Sequence, residues 1–308
     1  MKFNLNYRKT QYLKGIAIIL VLLSHVSTIK FAGNIGVGIF LLLSGYGVYD
    51  SYLKNGLKSY WRKKIKKVLL PYWIFNLVWI IIDYFRGISY SLNTILLSFI
   101  TYKNVIDITM WYISYLLLWY VLFWIIFKLF KNKYMYLLFM FLSVILSLLL
   151  GLKGIFGIGG GAQYYCLMFP LGVMLRYLYE NYENKINKFV LPIFSFLLFL
   201  FLYAYNNMYG ASISYIRMVA LIVSIVLILV IVFAYVDFDI PKKSIIKIYG
   251  KYSYFIYLIE GAFLNKYDFL ESIIENRNLY ILLFIELMLI ISIPIYKLYN
   301  KLNLNKFL

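Results

Sequence analysis

Residues 12–26 read YLKGIAIILVLLSHV: a cation at Lys14, an unbroken apolar run from Gly15 to Leu23, then Ser24 and His25, the one histidine in the chain. A bilayer core of about 30 Å needs roughly 20 predominantly apolar helical residues, and with its flanks this stretch is long enough. It reads as a span over 12–31. Similar runs recur near 34–53, 68–86, 110–130, 134–150, 163–179, 188–206, 214–236, 245–264 and 279–299. Pro170 and Gly250 interrupt two of them, and Leu92 to Ile100 is too short to span and reads as an interfacial helix. The basic lead-in to the first run is like that of a signal peptide, but no small-residue cleavage site follows and nine more runs do, so it reads as retained.

Composition agrees. The chain has 308 residues, 64% hydrophobic and 14% charged, with a formal net charge of +19. A soluble domain carries about 25% charged residues, so a soluble globular enzyme is excluded. The apolar content excludes a disordered chain, and a single cysteine, Cys166, excludes a disulfide scaffold. The cations lie between apolar runs, which points to membrane topology and not to nucleic acid. Placed on alternate sides of the ten runs, 24 basic residues fall on one side and six on the other, with Arg217 at a span edge. The positive-inside rule then gives an all-α polytopic membrane protein with about ten transmembrane helices and both termini cytoplasmic. It reads as one membrane domain over 1–308, without a soluble extracytoplasmic domain. Gly157 to Gly161 reads as a flexible outer loop; it does not precede a cytoplasmic helix as a phosphate-cradling loop should.

An ionisable residue at membrane depth is costly and defaults to a functional hypothesis, which makes His25 the first candidate; the alternative is a neutral imidazole hydrogen-bonded between helices. Lys14 lies eleven residues earlier, about three helical turns, so the two share a face about 16 Å apart along the axis. This spacing suits a long, thin cofactor with a polyanionic head and a reactive tail entering from the cytosol, the shape of a coenzyme A thioester. Its phosphates would rest among Lys14 and the cluster Arg62, Lys63, Lys64, Lys66 and Lys67; the plainer reading of that cluster is an inner loop binding anionic lipid headgroups.

Lys14-x10-His25 is similar to the Arg/Lys-x10-His motif in the first span of acyltransferase family 3, the integral membrane acyltransferases. Gly36–Tyr46 resembles the family's second span, and Arg62–Trp73 its basic stretch with a proline entering the third. Trp111-Tyr-Ile-Ser114, Phe169-Pro-Leu-Gly172 and Gly250-Lys-Tyr-Ser253-Tyr-Phe-Ile-Tyr257 continue the series in order. Lysines replace most of the usual arginines; lysine lacks the planar fork but still binds phosphate. Glu260 stands near a place where many members have a histidine.

The resemblance implies transfer of an acyl group, most often acetyl, from acetyl-CoA or another acyl-CoA to a hydroxyl of a cell-surface polysaccharide or lipid-linked glycan precursor. His25 is then the general base, since imidazole ordinarily titrates at about pH 6.5; a transient acyl-histidine is the other possibility. Glu260 and Glu286 are intramembrane carboxylates that could orient His25 or contact sugar hydroxyls, or else simply pair with a lysine or tyrosine. Ser44, Asp83, Trp111 and Tyr112 are candidate acceptor-binding residues. Ser44 with Gly45 equally fits helix packing, Asp83 a plain interfacial position, and Trp111 and Tyr112 an aromatic belt. Asp50 reads as a partner of the basic loop, and Cys166 as a buried thiol with nothing near to lower its pKa. With no histidine or cysteine cluster, no metal is expected. The expected partners are the lipid bilayer and a glycan, not nucleic acid. Lys-, Asn-, Ile- and Tyr-rich usage points to a bacterial cytoplasmic membrane.

Two other classes compete. A transporter or flippase for a glycan precursor would place broken helices in corresponding positions of two halves, but span one has no proline to match Pro170. A purely structural membrane protein explains the topology and leaves Lys14 and His25 without a task.

Overall fold

The structure is a computed structural model; it describes residues 3, 5–152, 161–206, 215–236, 241, 244–267 and 270–302. Every regular element among them is helical: α1 (Tyr7–Val26), α2 (Phe31–Asn55), α3 (Tyr60–Lys64), α4 (Leu70–Phe85), α5 (Leu92–Phe99), α6 (Trp111–Leu129), α7 (Lys133–Leu152), α8 (Met168–Asn206), α9 (Tyr215–Tyr235), α10 (Ile245–Lys266) and α11 (Arg277–Lys301). A π-helical turn, Ile65–Leu69, joins α3 to α4. Five segments among the described residues are long and apolar enough to cross a membrane: Phe31–Asn55, Tyr60–Phe85, Ile108–Leu129, Ile216–Tyr235 and Arg277–Lys301. Tyr134–Leu146 and Ile193–Tyr203 are shorter apolar helical stretches.

Most expected runs coincide with helices, and the differences have local causes. The first helix lies five residues earlier than the expected span, 7–26 instead of 12–31. Asn6 caps it, its side chain accepting from the Lys9 N–H at 3.0 Å, and Ser27 ends it in an extended conformation. Pro170 breaks nothing because it falls in the first turn of α8, where its missing N–H has no intrahelical partner to lose. The expected sixth and seventh spans form one helical element, Met168–Asn206, broken only at Tyr182, whose φ of −138° and ψ of 26° are not helical. Arg176 is in α8 and buried. Residues 157–160 of the glycine-rich loop lie outside the described residues.

Two compact units divide the chain. The first comprises Met1–Gly56, Asn132–Ser147 and Gln163–Lys251; the second comprises Leu57–Lys131, Leu148–Ala162 and Tyr252–Leu308. In the first, α2 packs on α1, α8 and α9. The α2–α8 contact depends on two glycines: a Cβ on Gly45 would lie 2.2 Å from the Phe169 carbonyl oxygen, and one on Gly172 would lie 2.0 Å from that of Leu42. Small residues of this kind let helices approach where lipid gives no hydrophobic drive to associate. Gly250, expected to interrupt its run, instead lets the start of α10 meet α1, because a Cβ there would lie 1.8 Å from the Gln11 carbonyl oxygen.

The second unit is organised around the irregular start of its first long segment. Pro71 has no N–H to bond the carbonyl four residues back, and the chain widens into the turn Ile65–Leu69, with the Leu70 N–H reaching Ile65 O. Side chains cap carbonyls of that turn. The Tyr254 hydroxyl donates to Val68 O at 2.7 Å, and the Tyr299 hydroxyl donates to Lys66 O at 2.9 Å.

Candidate functional site

In the first unit, α1 runs without interruption through Lys14 and His25, so helical register puts them on one stripe about 16 Å apart. Lys14 is half-buried and His25 is exposed. His25 is in the last turn of α1, because the helix starts and stops earlier than the expected run. Its backbone carbonyl accepts from Lys30 Nζ at 3.5 Å. Just before it, buried Ser24 donates to Val21 O at 2.7 Å. Ser44 is half-buried on α2, beside the glycine that meets α8. Asp50 receives Arg176 Nε at 2.9 Å and Lys54 Nζ at 2.6 Å, and Arg176 Nη1 reaches Glu180 at 2.8 Å. Asp50 thus pairs with α8 as well as with the basic stretch expected.

In the second unit the basic cluster is not uniform. Arg62 and Lys67 are exposed, while Lys63, Lys64 and Lys66 are half-buried. Lys64 turns inward: its Nζ lies 3.9 Å from the Tyr120 ring centroid and 5.3 Å from that of Tyr60. The Tyr60 hydroxyl holds this arrangement by donating to Tyr120 O at 2.9 Å. A lysine held over two aromatic faces is engaged in cation–π attraction and presents less of its charge to an outside anion than its neighbours do.

Asp83, at the other end of the segment, is completely buried. It accepts from Lys266 Nζ at 2.5 Å, the Tyr90 hydroxyl at 2.6 Å and the Tyr267 hydroxyl at 2.8 Å, with Arg86 4.0 Å away. Burial pushes the Lys266 ammonium toward the neutral form, but hydrogen bonds to Asp83 and Tyr90 outweigh it and hold its pKa above the usual lysine value. A carboxylate so fully engaged ties Lys266, Tyr90 and Tyr267 to the end of α4.

Sequence reading missed Asp107. Its Oδ1 accepts from the Thr109 N–H at 2.9 Å and the Thr109 hydroxyl at 2.6 Å, capping the short 3-10 turn Ile108–Met110. In sequence, Asp-Ile-Thr is an ordinary surface cap. Here it is buried because α10 lies against it: the Tyr257 hydroxyl donates to Thr109 O at 2.6 Å, and a Cβ on Gly261 would lie 1.8 Å from Thr109 Oγ1. Glu260, on the same stretch of α10, is also completely buried. Burial pushes the Asp107 carboxyl pKa up; the Thr109 bonds lower it, Glu260 raises it, and Lys266 lowers it. Tyr112 is buried, with its ring edge-on to that of Tyr257 at 5.6 Å, and Trp111 is half-buried beside it. Glu286 is half-buried in α11. Among the described residues no group of three or more His, Cys, Asp or Glu is placed to hold a metal ion.

Five helical segments among the described residues, long and apolar enough to cross a membrane and one of them with a basic start, point to an integral membrane protein. A family model described as an acyltransferase domain matches residues 9–297 of the chain. The chain belongs to acyltransferase family 3. No curated protein and no solved structure matches it.

Proposed function

We propose that this membrane acyltransferase moves an acyl group, acetyl first among them, from acyl-CoA to a hydroxyl of a cell-surface polysaccharide or lipid-linked glycan precursor. The observation that carries this is α1 itself, a single unbroken helix bearing Lys14 and His25 eleven residues apart in a chain of this family. In this reading His25 takes the proton of the acceptor hydroxyl as its oxygen attacks the thioester carbonyl; the C–S bond breaks, and the proton passes to the departing thiolate. Lys14, Arg62, Lys63, Lys66 and Lys67 supply cations for the coenzyme phosphates, and Glu260 and Glu286 serve catalysis. Ser44, Trp111 and Tyr112 contact the acceptor. The chain crosses a bacterial cytoplasmic membrane about ten times with both ends inside.

Purified protein given radiolabelled acetyl-CoA and cell-wall glycan tests this. Label transferred to the glycan, with free coenzyme A released in equal amount, is the expected result. Movement of glycan across a reconstituted bilayer without thioester cleavage favours the transporter class instead.

A further inference from the structure

Among the described residues of the second unit, Asp107 and Trp79 each bury a polar side-chain atom without a hydrogen-bond partner. Asp107 is 4% exposed; Thr109 makes both its bonds to Oδ1, and Oδ2 has no hydrogen-bond partner among the described residues. Trp79, 5% exposed, leaves its Nε1 donor in the same condition. A buried acceptor or donor left so is costly, because it gave up water for nothing in return. Asp107 and Trp79 belong to one linked set of side chains. The Trp79 ring lies 5.6 Å from that of Tyr267, Tyr267 and Lys266 hold Asp83, and the Lys266 charge acts on Asp107, as does Glu260.

We propose that Asp107 and Glu260 bind a hydroxyl group of a carbohydrate acceptor, with Asp107 Oδ2 as the accepting atom. This rests on the reading that the acyl acceptor is a glycan hydroxyl. Hydroxyl chemistry is the match because a hydroxyl donates to a carboxylate oxygen such as Asp107 Oδ2, and a carbohydrate carries several. A hard divalent cation is a poorer fit, since it takes six or more oxygen ligands and Asp83 is already committed to Lys266 and two tyrosines. Asp107 thereby acquires a task beyond capping a turn, and Gly261 keeps α10 close enough to share it.

The full chain in detergent is titrated calorimetrically, without acyl donor, with three probes: methyl β-D-glucopyranoside, methyl β-D-galactopyranoside and methyl N-acetyl-β-D-glucosaminide. At least one binds. Asp107→Asn keeps both bonds to Oδ1 and replaces only Oδ2 with a donor, and weakens that binding at least tenfold without lowering the melting temperature. Glu260→Gln weakens it as well. Equal affinity in parent and Asp107→Asn, a lower melting temperature in that variant, or no binding of any probe by the parent overturns the proposal. The acyl-transfer reading is separable: glycoside binding without thioester cleavage retires transfer alone, and thioester cleavage with binding indifferent to Asp107 retires this site alone.

Discussion

The hydroxyl of Tyr254 donates to the backbone carbonyl of Val68 at 2.7 Å, fastening α10 to the widened turn that Pro71 imposes at the start of α4. Carbonyls of an irregular turn at membrane depth need partners, and two tyrosine hydroxyls donate to this one. Removing one takes a donor away from a carbonyl of this turn. Tyr254→Phe should lower stability in detergent by about 1–3 kcal/mol, read by thermal unfolding; an unchanged unfolding curve shows that the turn needs no cap.

Lys266 and Asp83 form the most enclosed ion pair described, with side-chain exposures of 19% and 0%. Removing one partner of such a pair strands the other. Lys266→Met should cost about 3–5 kcal/mol, and adding Asp83→Asn should recover most of it. Equal stability in the single and double variants removes the anchor assigned to Asp83.

Asp107 gives a pH signature. Its pKa is raised in the folded chain, chiefly by burial, so the native state holds the proton more tightly than the unfolded state does. Stability from this group is therefore greatest below the ordinary carboxyl range and is lost as pH rises through the raised value. Thr109, Glu260, Lys266, Tyr257 and Tyr72 are the polar and titratable groups around it. The stability of Asp107→Asn relative to the parent should grow as pH rises from about 4, followed by denaturant unfolding from acid to neutral. A difference independent of pH contradicts the assignment.

Close helix approach in the first unit is tested at Gly172. Gly172→Ala puts a methyl where the Leu42 carbonyl oxygen lies 2.0 Å away, against backbone that cannot rotate aside. Overpacking of this kind costs about 1–3 kcal/mol. The loss should appear as reduced yield of monodisperse protein and a lower unfolding temperature.

Much of this architecture is legible in the sequence because long apolar runs leave a chain few options. The helices Phe31–Asn55, Trp111–Leu129 and Arg277–Lys301 lie within a few residues of the runs at 34–53, 110–130 and 279–299. What sequence hides is tertiary. Pro170 reads as a breaker until its place in a first turn is known. Lys64 is indistinguishable from Lys63 and Lys66 until Tyr120 is brought over it. Asp107 looks like a solvent-facing cap until Tyr257, Glu260 and Gly261 lie against it from more than a hundred residues away. His25 was readable as a candidate from its isolation, but its place in the last turn depended on the caps at Asn6 and Ser27.

Acyl transfer by purified His25→Ala, beside the parent, is the most direct measurement. A positioned general base contributes typically 10²–10⁴-fold, so the account predicts loss of at least about 100-fold in labelled product, with membrane insertion and unfolding temperature unchanged. A folded His25→Ala protein that transfers at the parent's rate contradicts it.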